Sequence, residues 1–170
     1  MSKFVLSERS IHNIEGCHEH IHILCREAIK ITPYQFAVPD GGGLRSITYQ
    51  RGRYAMGRTA AGPLCRCGGK INQIGTCQKH PLGMCVTWTM NSPHLLGHAV
   101  DFIVLIDGKY VDGDTPDELK YYNAVADSFL VAGAKHNIPT IWGGTFRDKN
   151  GKPRPDSGHI QLNENFYKGK

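Results

Sequence analysis

The run Ala99-Val-Asp-Phe-Ile-Val-Leu-Ile106 is the strongest constraint on what this chain can fold into. Its alternating, apolar character predicts a buried strand, and Asp101 lies inside it. A lone carboxylate there is expensive to bury, so it must be paired or bind a metal. His94, seven residues upstream across a turn expected at Gly97, is the natural second ligand. A cation such as zinc takes imidazole and carboxylate together and requires a third protein ligand. The chain offers one in Asp156-Ser-Gly-His159-Ile-Gln-Leu, where His159 opens another short strand.

With 170 residues, of which 40% are hydrophobic and 21% charged, the chain is expected to form one globular domain spanning 1–170. No apolar run is long enough for membrane insertion. Met1-Ser-Lys-Phe-Val-Leu-Ser-Glu-Arg lacks the apolar core of a signal peptide, so a cytoplasmic origin is expected. The net charge of +5 suits an anionic surface such as a cell wall or nucleic acid, or solubility alone, and does not choose between them. Six cysteines without a secretion signal argue against a disulfide scaffold.

Along the chain, Ser7 reads as a helix N-cap. Ile14, Cys17, Ile21, Leu24, Cys25 and Ala28 recur at helical spacing, with a break at Gly16 and an end at Thr32-Pro33. Cys17 and Cys25 fall on that stripe and read as core. His18-Glu19-His20-Ile21-His22 matches H-E-x-x-H, but almost nothing precedes it and no third histidine extends it. It reads as histidines flanking an amphipathic helix. A strand is expected over Gln35 to Val38. The glycines 41–43 form no phosphate loop, because no Gly-Lys-Ser/Thr follows. A helix is expected from Ile47 to Met56.

Residues 60–84 form a loop rich in Gly, Pro and Cys, with Cys65-x-Cys67 and Cys77-x-x-His80. Four such ligands in a segment too polar for its own core point to a structural zinc; free thiols or a disulfide are the alternatives. Cys85 begins Cys85-Val-Thr-Trp-Thr-Met90, which reads as a strand, and is the substitute fourth ligand for His80. Asp107-Gly108 reads as a turn. Thr115-Pro-Asp-Glu118 is a capping box opening the longest helix. Its expected buried face is Leu119, Tyr122, Ala126, Phe129, Leu130 and Gly133, ending near His136.

Ser92-x-His94-x-x-Gly97-x-Ala99-x-Asp101 followed by Asp156-x-x-His159 resembles the zinc-peptidase family of D-Ala-D-Ala carboxypeptidases and dipeptidases. More narrowly, it is similar to the phage endolysins that cut the L-alanyl-D-glutamate bond of peptidoglycan. Gly43-Leu44-Arg45-Ser46, Tyr54-Ala-x-Gly-Arg-Thr59 and Ile141-Trp-Gly-Gly144 also resemble family elements. Where the family continues Asp-Trp, this chain has Thr145-Phe146, which removes an expected hydrogen bond near the site. The resemblance implies an α+β fold of the Hedgehog/D-Ala-D-Ala-peptidase type, a small, mostly antiparallel sheet packed by helices, with 60–84 as an insertion.

It further implies a catalytic zinc held by His94, Asp101 and His159, with Asp156 shuttling protons and Arg45 stabilising the oxyanion. The expected substrate is the peptidoglycan stem peptide. The expected protein is a monomer that binds no nucleic acid and leaves the host cytoplasm with a holin-type protein to act on the wall. Two other readings remain at this point. One is a D-Ala-D-Ala carboxypeptidase of the same fold. The other is a non-enzymatic zinc-knuckle protein binding nucleic acid, which leaves Asp101 and Asp156 unexplained and lacks basic runs interleaved with aromatics.

Overall fold

Local capping signals place the helices. In the computed structural model, which describes residues 4–72, 76–113 and 115–167, Ser7 caps α1 (Glu8–Asn13) by accepting the Ser10 N–H. Gly16, at φ 77°, makes the break before α2 (Glu19–Ile31), which ends at Thr32 ahead of Pro33. Ile21, Leu24, Cys25 and Ala28 form the buried face of α2. Cys17 stands before that helix, half-buried, and packs against the core from there. Ser46 caps α3 (Ile47–Ala55) through the Tyr49 N–H.

The capping box of Thr115 and Glu118 opens α4 (Pro116–Lys135), and α5 (Glu164–Tyr167) is a single turn near the C-terminus. Tyr122, Val125, Ala126, Ser128, Phe129, Ala132 and Gly133 are the buried residues of α4. Leu119 and Leu130 lie at its half-buried flanks, which corrects the expected face. Among the described residues, no helix is long and apolar enough to cross a membrane.

The strands are β1 (Gln35–Ala37), β2 (Ala99–Asp101), β3 (Ile103–Ile106), β4 (Lys109–Val111), β5 (Thr140–Trp142) and β6 (His159–Leu162). Among the described residues they form two three-stranded sheets, β1-β3-β4 and β2-β6-β5, and the strand pairs within these sheets are antiparallel. The architecture is α+β, with small antiparallel sheets packed by helices. The single strand expected over Ala99–Ile106 is therefore two strands in two sheets, divided at Phe102. The Phe102 N–H leaves the ladder and donates to the Gly158 carbonyl at 2.7 Å. Val100, Phe102 and Val104 are nonetheless all buried. The rings of Phe102, Phe36 and Phe129 meet at centroid distances of 4.9 to 6.1 Å.

Residues 85–90 are not a strand, against expectation. They have β-forming side chains but no ladder partner. Side chains take that place: Gln50 Nε2 donates to the Thr89 carbonyl at 2.8 Å and Arg58 to the Thr87 carbonyl at 3.0 Å. The chain divides into two compact units, Met1–Leu44 with Leu96–Lys170, and Arg45–Leu95. The first contains both sheets and nearly all of the buried apolar residues.

In that first unit, Glu27 of α2 accepts from Lys135 at 2.7 Å, from His136 at 3.2 Å and from Lys30. The Lys135 hydrogen bond, then those of Lys30 and His136, hold its carboxyl at about 2, below the ordinary 4.5. A depressed carboxyl stabilises the fold in full above its unfolded value, and that contribution disappears as pH falls through the folded value. Glu27→Gln should therefore flatten the acid limb of thermal stability between about pH 4.5 and 2. Melting curves over that window test it; an acid limb identical to the parent chain's would show that this clasp does not contribute.

Candidate active site

The β2–β6 register pairs Ala99 with Gln161, Val100 with Ile160 and Asp101 with His159. Residues directly opposite share a face, and the side-chain period is two. Asp101, His159 and Gln161 thus come to one face, while Val100 and Ile160, fully buried, turn to the core. His159 Nδ1 lies 2.8 Å from Asp101 Oδ1, and His159 Nε2 lies 3.0 Å from Gln161 Oε1.

The imidazole is therefore flanked by two oxygen acceptors, and a neutral ring has one N–H for them. Either both nitrogens carry protons, or Nε2–H serves Gln161 while a cation takes the place of the proton between Nδ1 and Asp101. This donor set suits zinc. Burial opposes charge on the ring. The Asp101 hydrogen bond and charge, aided by Asp156 and Gln161, outweigh it, so the His159 pKa lies above its ordinary value.

His94 sits on a 3-10 turn, Pro93–Leu96, closed by the Leu95 N–H donating to the Ser92 carbonyl at 2.9 Å. Its side chain is 1% exposed. His94, Asp101 and His159 make up a group able to hold a metal, each offering one ligand atom, with these atoms within 4.8 Å of one another. The Arg45 N–H donates to the His94 carbonyl at 2.9 Å, and Arg45 is itself buried.

Asp156 is held by backbone geometry. Its N–H donates to the Gly143 carbonyl at 2.9 Å, its carbonyl accepts the His159 N–H at 3.2 Å, and the Trp142 indole donates to the Ser157 carbonyl at 2.9 Å. A Cβ on Gly143 would stand 2.5 Å from the Asp156 carbonyl oxygen and 3.0 Å from His159 Cβ, so this approach needs glycine. The Asp156 side chain is exposed, and its charge acts on His159. Phe146, where the Asp-Trp pattern fails, places its ring 5.6 Å from the His159 ring.

The H-E-x-x-H segment forms no comparable group. His18 is the N-cap of α2, its Nδ1 accepting the His20 N–H at 3.1 Å, so it does not share a helical face with His22. Among the described residues, the other group able to hold a metal is Cys65, Cys67, Cys77 and His80. Cys85 is not in it; its Sγ lies 3.9 Å from the Gly57 carbonyl.

Gln161 and Phe146 also adjoin His159, and no sequence motif marks them. Period two counted from His159 would have found Gln161; Phe146 approaches through a turn that no local pattern specifies.

No protein-family model matches the chain, and no curated protein is significantly similar to it. Solved structures do match. One is the Serratia marcescens L-Ala D-Glu endopeptidase ChiX, with a TM-score of 0.68 and 24% sequence identity, covering 97% of this chain and 95% of that one. At that identity the likeness is one of fold.

In a neutral His159 ring, an Nε2–H donated to Gln161 Oε1 would leave Nδ1, which faces Asp101, as the nitrogen able to ligate. Removing such a hydrogen-bond partner usually costs roughly 10–100-fold in metal affinity. Gln161→Leu should weaken zinc binding at this centre by that factor, measured by competition with a chromophoric chelator. Unchanged affinity would remove Gln161 from the site.

Proposed function

We propose that this chain is a zinc-dependent peptidase that hydrolyses peptidoglycan stem peptides at the L-Ala–D-Glu bond, as a phage lysis enzyme related to the D-Ala-D-Ala peptidases. The observation that carries the proposal is the His94, Asp101 and His159 group with the Asp156 charge acting on its last member. A fold shared with an L-Ala D-Glu endopeptidase supports the choice of bond. Zinc bound by these three residues would keep a position open and supply Lewis acidity to a scissile carbonyl and to water.

The protein's own groups do the rest. Asp101 and His159 enter from adjacent strands, so their separation is set by the sheet rather than by loops. Gln161 holds the Nε2 proton of His159. Asp156 takes a proton from the attacking water and passes it to the leaving amine. The Trp142 and Gly143 contacts limit how far its loop can move. Arg45, anchored by its backbone to His94, supplies positive charge for the oxyanion. The chain acts as one peptidase domain, with 60–84 as an insertion, and works as a monomer. It is made in the host cytoplasm and reaches the wall with a holin-type protein.

Digestion of purified peptidoglycan, with the new termini identified by mass spectrometry, tests the reading. Free L-Ala carboxyl and D-Glu amino ends are expected. Release of D-Ala would move the chain to the carboxypeptidases, and no cleavage by zinc-loaded protein would overturn the proposal. Asp156→Asn keeps the side chain's size but cannot accept the proton. It should retain zinc and fold while kcat falls by roughly 10²–10⁴-fold. Loss of zinc together with activity would instead make Asp156 a ligand. His18→Ala and His22→Ala should leave turnover near the parent level.

A further inference from the structure

The unit Arg45–Leu95 has almost no apolar core. Among its described residues only Cys77 belongs to the buried apolar set, while Leu64, Ile71 and Trp88 are 80%, 58% and 61% exposed. Hydrophobic burial does not explain how its loop keeps one shape. Backbone hydrogen bonds clasp the base of that loop: the Gly62 N–H to the Leu82 carbonyl at 2.7 Å, and the Met84 N–H to the Pro63 carbonyl at 2.8 Å. Beyond the clasp, Ile71 and Cys77 form an antiparallel bridge, flanked by the Gln78 N–H to the Lys70 carbonyl at 2.9 Å.

The side chains of Cys65, Cys67, Cys77 and His80 converge between these two pinned regions. Cys65 Sγ lies 3.0 Å from His80 Nδ1, Cys67 Sγ 3.5 Å from Cys77 Sγ, and Cys77 Sγ 3.9 Å from His80 Nδ1. All four ligand atoms fall within 4.8 Å of one another. A tetrahedron with Zn–S near 2.3 Å and Zn–N near 2.0–2.1 Å has edges of about 3.5–3.8 Å. The separations of 3.0, 3.5 and 3.9 Å bracket those edges. The sulfurs are unbonded, since a disulfide needs about 2.05 Å. The cradle is also tight: a Cβ on Gly69 would stand 3.2 Å from Cys67 Sγ and 3.3 Å from Cys77 Sγ.

We propose that Cys65, Cys67, Cys77 and His80 bind one thiophilic divalent cation of the zinc type in a closed, structural site. Four protein donors complete a tetrahedron, so no position remains for water or substrate and the site cannot catalyse. Its role is to fold the loop of a unit whose first residue, Arg45, is bonded through its backbone to His94 near the other end. The site is chemically distinct from the His94, Asp101 and His159 group, which has no sulfur, and it stands whether or not the chain is a peptidase.

Cobalt(II) substitution of the full chain separates the two centres, because only thiolate ligation gives an intense near-ultraviolet charge-transfer band. The band is expected in the parent chain and in His94→Ala. It should be lost in Cys67→Ser and in Cys77→Ser, with one equivalent of metal lost and faster proteolysis within 60–84. Should the serine variants not fold, His80→Cys keeps four ligands and should retain the metal with a stronger band. A parent chain that binds cobalt without a thiolate band overturns the proposal. So does metal content unchanged by Cys67→Ser, or a count of free thiols in the unfolded, unreduced chain that falls by two and reveals a disulfide.

Discussion

The pairing of Asp101 with His159 across β2 and β6 is the interaction on which the rest of the site depends. A carboxylate and an imidazole stand opposite each other on two short strands. A slip of one residue would turn His159 and Gln161 toward the core and bring Ile160 to the site. The register resists that slip because the opposite face carries Val100 and Ile160, both fully buried. Beyond the ladder, the Asp101 N–H reaches the Gly42 carbonyl and the Phe102 N–H the Gly158 carbonyl, each at 2.7 Å. Gly42 allows its approach because a Cβ there would stand 2.8 Å from the Pro39 carbonyl oxygen and 3.0 Å from that of Asp101. Core packing and two glycine contacts thus fix the separation of the charged pair, and the pair itself need not stabilise the fold.

Much of the architecture was legible because it rests on local chemistry. The Ser7 cap, the break at Gly16, the Thr115–Glu118 capping box and the turn at Asp107-Gly108 each satisfy backbone groups within a few residues. The change of sheet at Phe102 was not legible, for a physical reason. Val100, Phe102 and Val104 stay buried through the break, so the apolar period continues while the hydrogen-bond partners change. Period reports the face a residue presents, and not the sheet to which its backbone belongs. The stretch 85–90 misleads in the opposite sense. Valine, threonine and tryptophan favour strands, but Gln50 and Arg58 supply its donors, and side-chain donors from distant residues leave no periodic mark.

The candidate site divides in the same way. A carboxylate inside an apolar run is costly enough to reveal Asp101, and the spacing of His94 and His159 follows from the resemblance and from the need for partners. Residues that act on those side chains were harder to read. Gln161 is visible only once His159 is known to lie on a strand. Thr145 stands where the resemblance expects an aspartate, and its hydroxyl donates to the Trp142 carbonyl at 2.8 Å, while Phe146, in the place of a tryptophan, sets its ring 5.6 Å from that of His159. Asp101 at Nδ1 and Gln161 at Nε2 together orient the imidazole.

The two groups able to hold a metal sit in regions stabilised by opposite means. Asp101 and His159 are set on strands that a continuous apolar core already organises, so a metal bound there would add little that folding requires. The cysteine group lies in a loop whose described residues bury one apolar side chain, Cys77, and expose several others. Structural zinc in zinc-finger peptides contributes about 10–16 kcal/mol of apparent binding free energy at neutral pH, coupled to folding. That is comparable to the about 5–15 kcal/mol net stability of a whole domain. A closed site can therefore substitute for a core that the loop cannot build. The division follows from ligand type as well. Three thiolates and an imidazole would fill a tetrahedron and give shape alone, whereas a carboxylate with two imidazoles would leave a coordination position open.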